Sequence, residues 1–419
     1  MILRTAFATS DGINVDRHFG ASKRFDIYEI NTESNIYKRI DIRNVENACL
    51  DHNHDDKRIE AVVEKIADCN YVFAELSGNR ARQVLENRKI QPVDVDRTIK
   101  EVIDNILFGK VKLIDKRYAE TEKKRLNSNF EKLQKSHPCM SRGANLTAGR
   151  IHLPVSPSCN IQCKFCTRQF DKSLIRPGVS SLVLKPEEAV ETVRKARELC
   201  PELAVVGIAG PGDTLATDYA LDTFSEVKKA FPELISCLST NGFSLPKQVE
   251  RIAEIGIETI TVTVNAIDPE IEAKIIDYVI DDEGVKHEGV EGAKLLIKNQ
   301  LEGIKRAVEL GTVVKINSVL VPGVNDKHIE EVARKVSELG ASILNIIPLI
   351  PQNGMADIPA PTCVELDEVR TKAGRYIEVF RHCQHCRADA LGIPGKGRDL
   401  HNELYKDRKE EAAETFSHG

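Results

Sequence analysis

The chain has no tryptophan, only three methionines, and no run of about 18 apolar residues. The last absence excludes a membrane-spanning helix. Neither sign of charge dominates, since 59 Lys and Arg face 64 Asp and Glu for a net charge of -5. That balance excludes the basic surface a nucleic-acid binder needs and the polybasic patch of a membrane-surface protein. No secretory pattern opens the chain, because Met1-Ile-Leu-Arg-Thr-Ala leads straight into a strand-like segment, so a cytoplasmic location is expected. The missing tryptophan, in an Ile/Val/Lys/Glu-rich chain, suits an anaerobic or thermophilic composition.

What is present is ordinary globular composition, 41% apolar and 29% charged, over 419 residues, enough for two to three domains. Eleven cysteines stand out. In a reducing compartment their clustered spacings point to metal and not to disulfides.

The densest spacing is Cys159-Asn-Ile-Gln-Cys163-Lys-Phe165-Cys166, directly after the apolar run from Ile151. A C-x3-C-x2-C pattern arises by chance in roughly one such chain in a hundred. Three thiolates can ligate three irons of a 4Fe-4S cubane and leave the fourth open to a small molecule. A buried cysteine cluster or a zinc knuckle is the competing reading, but a closed zinc site wants a fourth ligand at similar spacing.

Around this motif the pattern divides the chain. Residues 1–108 read as a small α/β domain, with strands at Ile2–Ala8, Phe25–Ile30, Ile36–Ile42 and Tyr71–Ala74 and helices at Ile59–Ala67 and Arg80–Asn87. Its polar loop Arg17-His18-Phe19-Gly20 can present a ligand to iron or an anion, or simply hold a satisfied histidine, and Cys49, His52 and His54 can add ligands. Residues 109–150 read as a charged, helix-permissive linker, a connector or a helix packed on one side, ending at His137-Pro138-Cys139, a pair of soft ligands in extended chain. Residues 151–395 repeat strand and helix six times, with strands at Ile151–Val155, Ala204–Ala209, Leu234–Ser239, Glu258–Val264, Val313–Leu320 and Ile343–Leu349. Six such units predict a parallel, partly closed barrel with its chemistry beyond the C-terminal strand ends. Residues 396–419 form a charged tail.

Polar turns recur at those ends. They are Gly210-Pro-Gly212-Asp213, Thr240-Asn241, Asn265, and Asn317-Ser318, and together they suit a nucleotide-like ligand. Any one of them alone reads equally well as a turn residue. Near the C-terminus, Cys383-Gln-His-Cys386 is a strong metal signal with no second pair nearby. Cys237, inside a strand, reads as core on periodicity alone.

The cysteine motif resembles the radical S-adenosylmethionine (SAM) family. That resemblance implies a 4Fe-4S cluster on Cys159, Cys163 and Cys166, with SAM bound near Gly210, Gly212, Asp213, Thr240, Asn241, Asn265, Asn317 and Ser318. Residues 1–108 are similar to the domain of dinitrogenase iron-molybdenum cofactor-binding proteins, which implies a ribonuclease-H-like fold. His137-Pro-Cys139, Arg176-Pro-Gly178-Val179, Gln300-Leu-Glu-Gly303, Pro322-Gly-Val-Asn-Asp326 and Cys383-x2-Cys386-Arg-Ala-Asp-Ala, in register with the SAM motifs, resemble the NifB family of nitrogenase cofactor assembly. The expected fold is therefore a partial (β/α)6 radical SAM barrel preceded by a ribonuclease-H-like α/β domain.

The same resemblance implies that the chain fuses two further 4Fe-4S clusters with a SAM-derived carbide and a sulfide into an 8Fe-9S-carbide core. Cys139, Cys237, Cys383 and Cys386, with His137, would then hold those clusters. Implied partners are iron-sulfur cluster donors, cofactor carriers and an electron donor such as a ferredoxin. The chain departs from the family in three places. Ala144-Asn145-Leu146 stands where a histidine pair is usual, Phe170-Asp171-Lys172 lacks a cysteine, and Ser173-Leu-Ile-Arg176 lacks a glutamate. A paralogue acting on another iron-sulfur cluster, a cluster carrier or scaffold, and a zinc-stabilised hydrolytic barrel are the alternatives.

Overall fold

The computed structural model describes residues 2–46, 49–50, 53–54, 56–107, 115–167, 171, 174, 176–397 and 399–408. The chain divides into two compact units, Met1–Lys124 and Arg125–Gly419.

In the first unit, β1 (Ile2–Ala8), β2 (Arg24–Asn31) and β3 (Ile36–Asn44) form an antiparallel meander. After α1 (Asp56–Lys65), β4 (Tyr71–Ala74) pairs parallel with β1, and after α2 (Asn79–Asn87), β5 (Gln91–Asp94) pairs parallel with β4 before α3 (Ile99–Leu107). The order 3-2-1-4-5 is the ribonuclease-H-like arrangement. Both sheet faces are covered, one packing Phe25 and Ile27 with Ile59, Val63 and Leu85, the other Phe7 and Phe73 with Val102 and Ile106. Aromatic and β-branched residues alternate along these strands because each face needs its own apolar layer. His18 sits in the loop before β2, half exposed, with Nε2 3.6 Å from Glu75. Cys49, His52 and His54 lie outside what is described at side-chain level.

The second unit carries an eight-stranded sheet. Its strands are β6 (Gly149–His152), β8 (Leu203–Ile208), β9 (Ile235–Thr240), β10 (Thr259–Thr263), β13 (Val313–Leu320), β14 (Ile343–Pro348) and β15 (Glu378–Val379), all parallel, while β16 (Leu391–Gly392) runs antiparallel on the edge at β6. Helices α6 (Ala189–Leu199), α7 (Tyr219–Ala230), α8 (Leu245–Ile255), α10 (Gly289–Glu309), α11 (Ile329–Glu338) and α12 (Cys363–Ala373) cross over between strands. This is the partial (β/α)6 barrel. Ile151, Val206, Leu238, Ile260, Val314 and Leu344 face the helices in one continuous core. Successive side chains on a strand alternate faces, so Arg150, His152, Gly207, Cys237, Thr261, Lys315 and Asn345 face the lumen.

Of the connector and the helix expected in the charged stretch, the helix is found, α4 (Lys116–Ser136), followed by the short α5 (Arg142–Thr147), whose N-cap Ser141 accepts from Ala144 N at 3.2 Å. One feature did not follow from periodicity. The segment after β10 and the short α9 (Pro269–Glu272) builds a hairpin, β11 (Ile276–Ile280) with β12 (Lys286–Glu288), which takes β7 (Ile161–Cys163) as its third strand. The cysteine loop is thus partly a strand.

A buried ion pair ties the C-terminal segment to the barrel. Arg387, with no exposed surface, meets Asp389 at 2.8 and 3.0 Å and donates to the carbonyls of Asp171 (2.9 Å) and Leu174 (2.5 Å). Asp389 also accepts from Ser181 N and Oγ at 2.7 and 2.8 Å. Burial alone would raise the Asp389 carboxyl, but Arg387 and Ser181 hold it below its ordinary value. Arg387→Met strands that carboxylate in the interior, and a loss of about 3 kcal/mol of unfolding free energy is expected in denaturant titration at neutral pH.

Candidate metallocluster site

Two sets of thiols are built differently. The first lies beyond the C-terminal end of β6. Cys159 leads into β7, which pairs antiparallel with β11, so that Ile280 N donates to Asn160 O at 2.8 Å and Lys164 N to Ile275 O at 2.9 Å. The loop closes on itself where Cys166 N reaches Cys163 O at 3.0 Å. Gln162 Nε2 bonds the carbonyls of Cys163 and Cys166 at 2.9 and 3.2 Å, and Gln352 and Asn353 hold those of Phe165 and Cys166 at 2.6 and 3.0 Å. The carbonyls of Asn160, Cys163, Phe165 and Cys166 are all tied down. The three cysteines remain half-buried, Cys159 and Cys163 against Ile161, Phe243 and Ile276, while Phe165 packs on Ile275 and Leu349. Asn241 Nδ2 lies 3.8 Å from the Cys159 sulfur.

The glycine turn backs this loop. Gly212 N donates to Ser156 O at 2.6 Å and Asp213 N to Ser158 O at 2.7 Å. A Cβ on Gly212 would fall 2.1 Å from Ser158 O, so only glycine allows that approach. Gly210, at φ +125, opens the turn.

The expected ligand-facing side chains prove to be engaged within the protein. Asp213 is buried and accepts from Thr240 Oγ1 at 3.0 Å, Asn241 N at 2.5 Å and Leu215 N at 2.9 Å. Burial nevertheless raises its carboxyl above the ordinary value. Asn265 Oδ1 accepts from Val319 N at 2.9 Å, and Ser318 Oγ donates to Val264 O at 2.5 Å. These residues fix the strand ends as a rigid rim. Asn317 differs, because it is half-exposed and accepts only from Asn345 Nδ2 at 3.1 Å, and the buried Oδ1 of Asn345 has no partner. Gln300 Oε1 is likewise buried and open. Three thiols on a braced loop fit a 4Fe-4S cluster that leaves one iron open to a polar ligand.

The second set lies in the lumen. Cys139 is within electrostatic reach of Cys237, Cys383 and Cys386, and burial followed by the three neighbouring thiols pushes its thiol up to about 12, against the pull of Lys315. Burial raises Cys237 as well. Lys315 Nζ donates to Cys139 O at 3.0 Å and sits 4.5 Å from the centre of the Phe380 ring. Arg150 Nε donates to the Cys386 sulfur at 3.2 Å. Periodicity left Cys237 in the core; its neighbours on β9, Ser236 and Leu238, face the other way. Among the described residues no three His, Cys, Asp or Glu side chains converge closely enough to share a single metal ion. A cubane takes its ligands at separate corners and does not need that convergence.

Two histidines border this set. His137 is 1% exposed, and burial, then Lys315 and His152, hold it down to about 3, so it is neutral. The sequence reading passed over His152 because it lies inside an apolar run. It stands in register with Gly207, and Gly207 with Cys237, on adjacent strands. Its Nδ1 lies 2.8 Å from the Arg387 carbonyl, which can only accept, so Nδ1 carries the proton and Nε2 the lone pair. Burial and Arg150 lower it to about 4. A Cβ on Gly207 would sit 2.8 Å from that ring. Alternation opposite to Ile151 and Leu153 was the signal that could have found it.

Residues 153–336 match the family model described as Radical SAM superfamily, and residues 1–109 match the one described as Dinitrogenase iron-molybdenum cofactor. The FeMo cofactor biosynthesis protein NifB of Methanocaldococcus infernus is 46% identical over 286 residues, which cover 68% of this chain and 94% of that protein. The protein of the same name from Klebsiella pneumoniae is 44% identical over 271 residues, 63% of this chain and 58% of its own. Among solved structures, a radical SAM methyltransferase from Sphaerobacter thermophilus aligns at 19% identity and a TM-score of 0.41, over 55% of this chain and 64% of its own.

One buried acid at the rim has a measurable consequence. Glu272, 1% exposed, makes no hydrogen bond of good geometry through either oxygen, and burial pushes it up to about 8 against the weaker pull of Ala266 N and Asn265. An unfolded glutamate loses its proton near 4.5, whereas the folded one keeps it to about 8. Wild type should therefore lose stability progressively as pH rises from 4.5 to 8, by several kcal/mol in all, and no further above that. Glu272→Gln should flatten this loss, so that thermal melts of the two proteins are similar at pH 5 while the variant melts higher at pH 8.5.

Proposed function

The chain belongs to the NifB family of radical SAM proteins of FeMo cofactor biosynthesis, and on that footing we propose that it fuses two 4Fe-4S clusters with a SAM-derived carbide and one sulfide into an 8Fe-9S-carbide precursor. The iron and sulfur count closes, since two cubanes bring eight irons and eight sulfides and the added sulfide is the ninth. One SAM gives up its methyl group and leaves as S-adenosylhomocysteine; a second gives 5′-deoxyadenosine after abstracting one hydrogen of that methyl, whose other two hydrogens leave as protons while the cluster irons and the low-potential reductant supply the electrons that reduce the carbon to carbide.

Cys159, Cys163 and Cys166 would hold the resident cluster. When bound, that cluster would supply one electron to the SAM sulfonium, whose S–C5′ bond would then cleave to methionine and a 5′-deoxyadenosyl radical. The chain's own residues do the rest. Gly212 lets the turn close against Ser156 and Ser158 behind the cysteine loop, Gly210 opens that turn toward SAM, Asp213 with Thr240 and Asn241 keeps that rim rigid, and Asn265 and Ser318 lock the neighbouring strand ends. Asn317, with the Asn345 amide, offers hydrogen bonds to the adenosine portion. The apolar contacts around Cys159, Cys163 and Phe165 keep water from the reacting methyl.

What supports the reading most is the meeting of Cys139, Cys237, Cys383 and Cys386 in one lumen, beside His152 with an open Nε2 lone pair. Four thiols and one imidazole are too few to saturate two cubanes, and incomplete ligation is what cargo clusters need if they are to merge and leave. Cluster donors would load this lumen, a low-potential ferredoxin would reduce the resident cluster, and carrier proteins would accept the product. The domain of residues 1–109 would take part in cluster carriage.

A second reading rests on residues 144–146. Where the family usually has a histidine pair, Ala144 and Asn145 are buried, and Asn145 Nδ2 is tied to Pro138 O at 3.0 Å. A protein with this change could act on a different iron-sulfur cluster.

Anaerobic reconstitution with iron and sulfide should bring the chain to about twelve irons, three cubanes' worth. Addition of SAM and reductant should then release both 5′-deoxyadenosine and S-adenosylhomocysteine. The first product without the second would remove methyl-derived carbide insertion and favour the second reading. Cys139→Ala should lose iron above the first four while still cleaving SAM. Cys159→Ala should lose SAM cleavage while retaining lumenal iron.

A further inference from the structure

His137 faces the lumen beside Cys139, and its ring chemistry decides what it can do there. The backbone N–H of Cys139 donates to His137 Nδ1 at 3.1 Å. A backbone N–H can only donate, so Nδ1 must offer a lone pair and the ring proton must sit on Nε2. Turning the ring over would present a carbon to that N–H. Nε2 is buried and has no hydrogen-bond partner in the protein.

A protonated Nε2 cannot bind iron, and a buried donor without an acceptor is destabilising. It therefore needs an acceptor that arrives from outside. The neighbouring groups define that acceptor's charge: Arg150 and Lys315, both buried cations, point at Cys386 and at the Cys139 carbonyl. Donors converge here, and the species that suits them carries negative charge on sulfur. His152 has the opposite tautomer, with its Nε2 lone pair open.

We propose that His137 is a hydrogen-bond donor, through Nε2–H, to a sulfur atom of the anionic iron-sulfur cluster held by Cys139, and is not an iron ligand. The two histidines of the lumen then have complementary roles, His152 toward iron and His137 toward sulfur. The proposal rests on the reading that lumenal thiols hold a cluster. His137 is a positioning residue: it orients the cargo and withdraws electron density from its sulfur, which raises the cluster's reduction potential.

The test uses the full chain with Cys159, Cys163 and Cys166 replaced by alanine, so that all iron bound after anaerobic reconstitution is lumenal. In that background His137→Phe should keep its iron but shift the cluster midpoint to more negative potential. His137→Gln, whose side-chain amide keeps an N–H near the same place, should restore it. Loss of iron in both variants would overturn the proposal, as would an unchanged potential in His137→Phe. So would a directly bonded nitrogen in pulsed EPR spectra of the reduced cluster that survives His152→Ala and disappears in His137→Gln. If the triple-alanine background itself binds no iron, the lumenal cluster reading fails first, and that outcome is distinct from the others.

Discussion

A polar lumen inside a protein has to be compensated atom by atom, and this barrel is arranged around that requirement. Strand alternation sends Ile151, Val206, Leu238 and Val314 into the helix layer, and in doing so it commits Arg150, His152, Cys237 and Lys315 to the inside. Two buried cations without close carboxylate partners would ordinarily be costly. Here the backbone answers part of the demand, through the carbonyls of Cys139 for Lys315 and Gly392 for Arg150. The thiol of Cys386 answers another part. Both carbonyls belong to segments outside the repeating strand-helix units, so the additions at either end of the barrel complete its interior.

The C-terminal addition has a second role. Arg387 and Asp389 sit directly after Cys386, and the same pair grips the segment that follows Cys166 through the carbonyls of Asp171 and Leu174. The Arg387 carbonyl meanwhile fixes the tautomer of His152. One residue therefore sets a boundary condition for the three-cysteine loop, for the lumenal cysteine pair and for His152. The Arg-Ala-Asp-Ala motif is thus a mechanical joint between the three-cysteine loop and the barrel interior.

Much of this was legible in the sequence. The six barrel strands follow from apolar alternation, and Val313–Leu320 has the bounds expected of it, because such strands are specified by their own residues. The hairpin of β11 and β12 escaped notice because its turn, Asp281-Asp-Glu-Gly284, and its exposed Lys286 and Glu288 read as loop. The three-cysteine motif announced itself by spacing. The rim residues were visible as positions, but nothing local shows that Asp213 is consumed by Thr240 and Asn241 from the next strand, or that Asn265 is held by Val319. His152 was legible as an inward position from its alternation with Ile151 and Leu153, but its tautomer was not, since the Arg387 carbonyl that sets it is remote in sequence.

The strand character of Ile161–Cys163 bears on how the protein is loaded. A flexible loop with three thiols must lose its freedom when a cluster arrives, and that entropy is subtracted from affinity. Here the hairpin, Gln162, Gln352 and Asn353 have removed the freedom beforehand, so the thiols wait at their posts. Folding bears the ordering cost once, so a cluster held by these thiols would assemble on an already finished template.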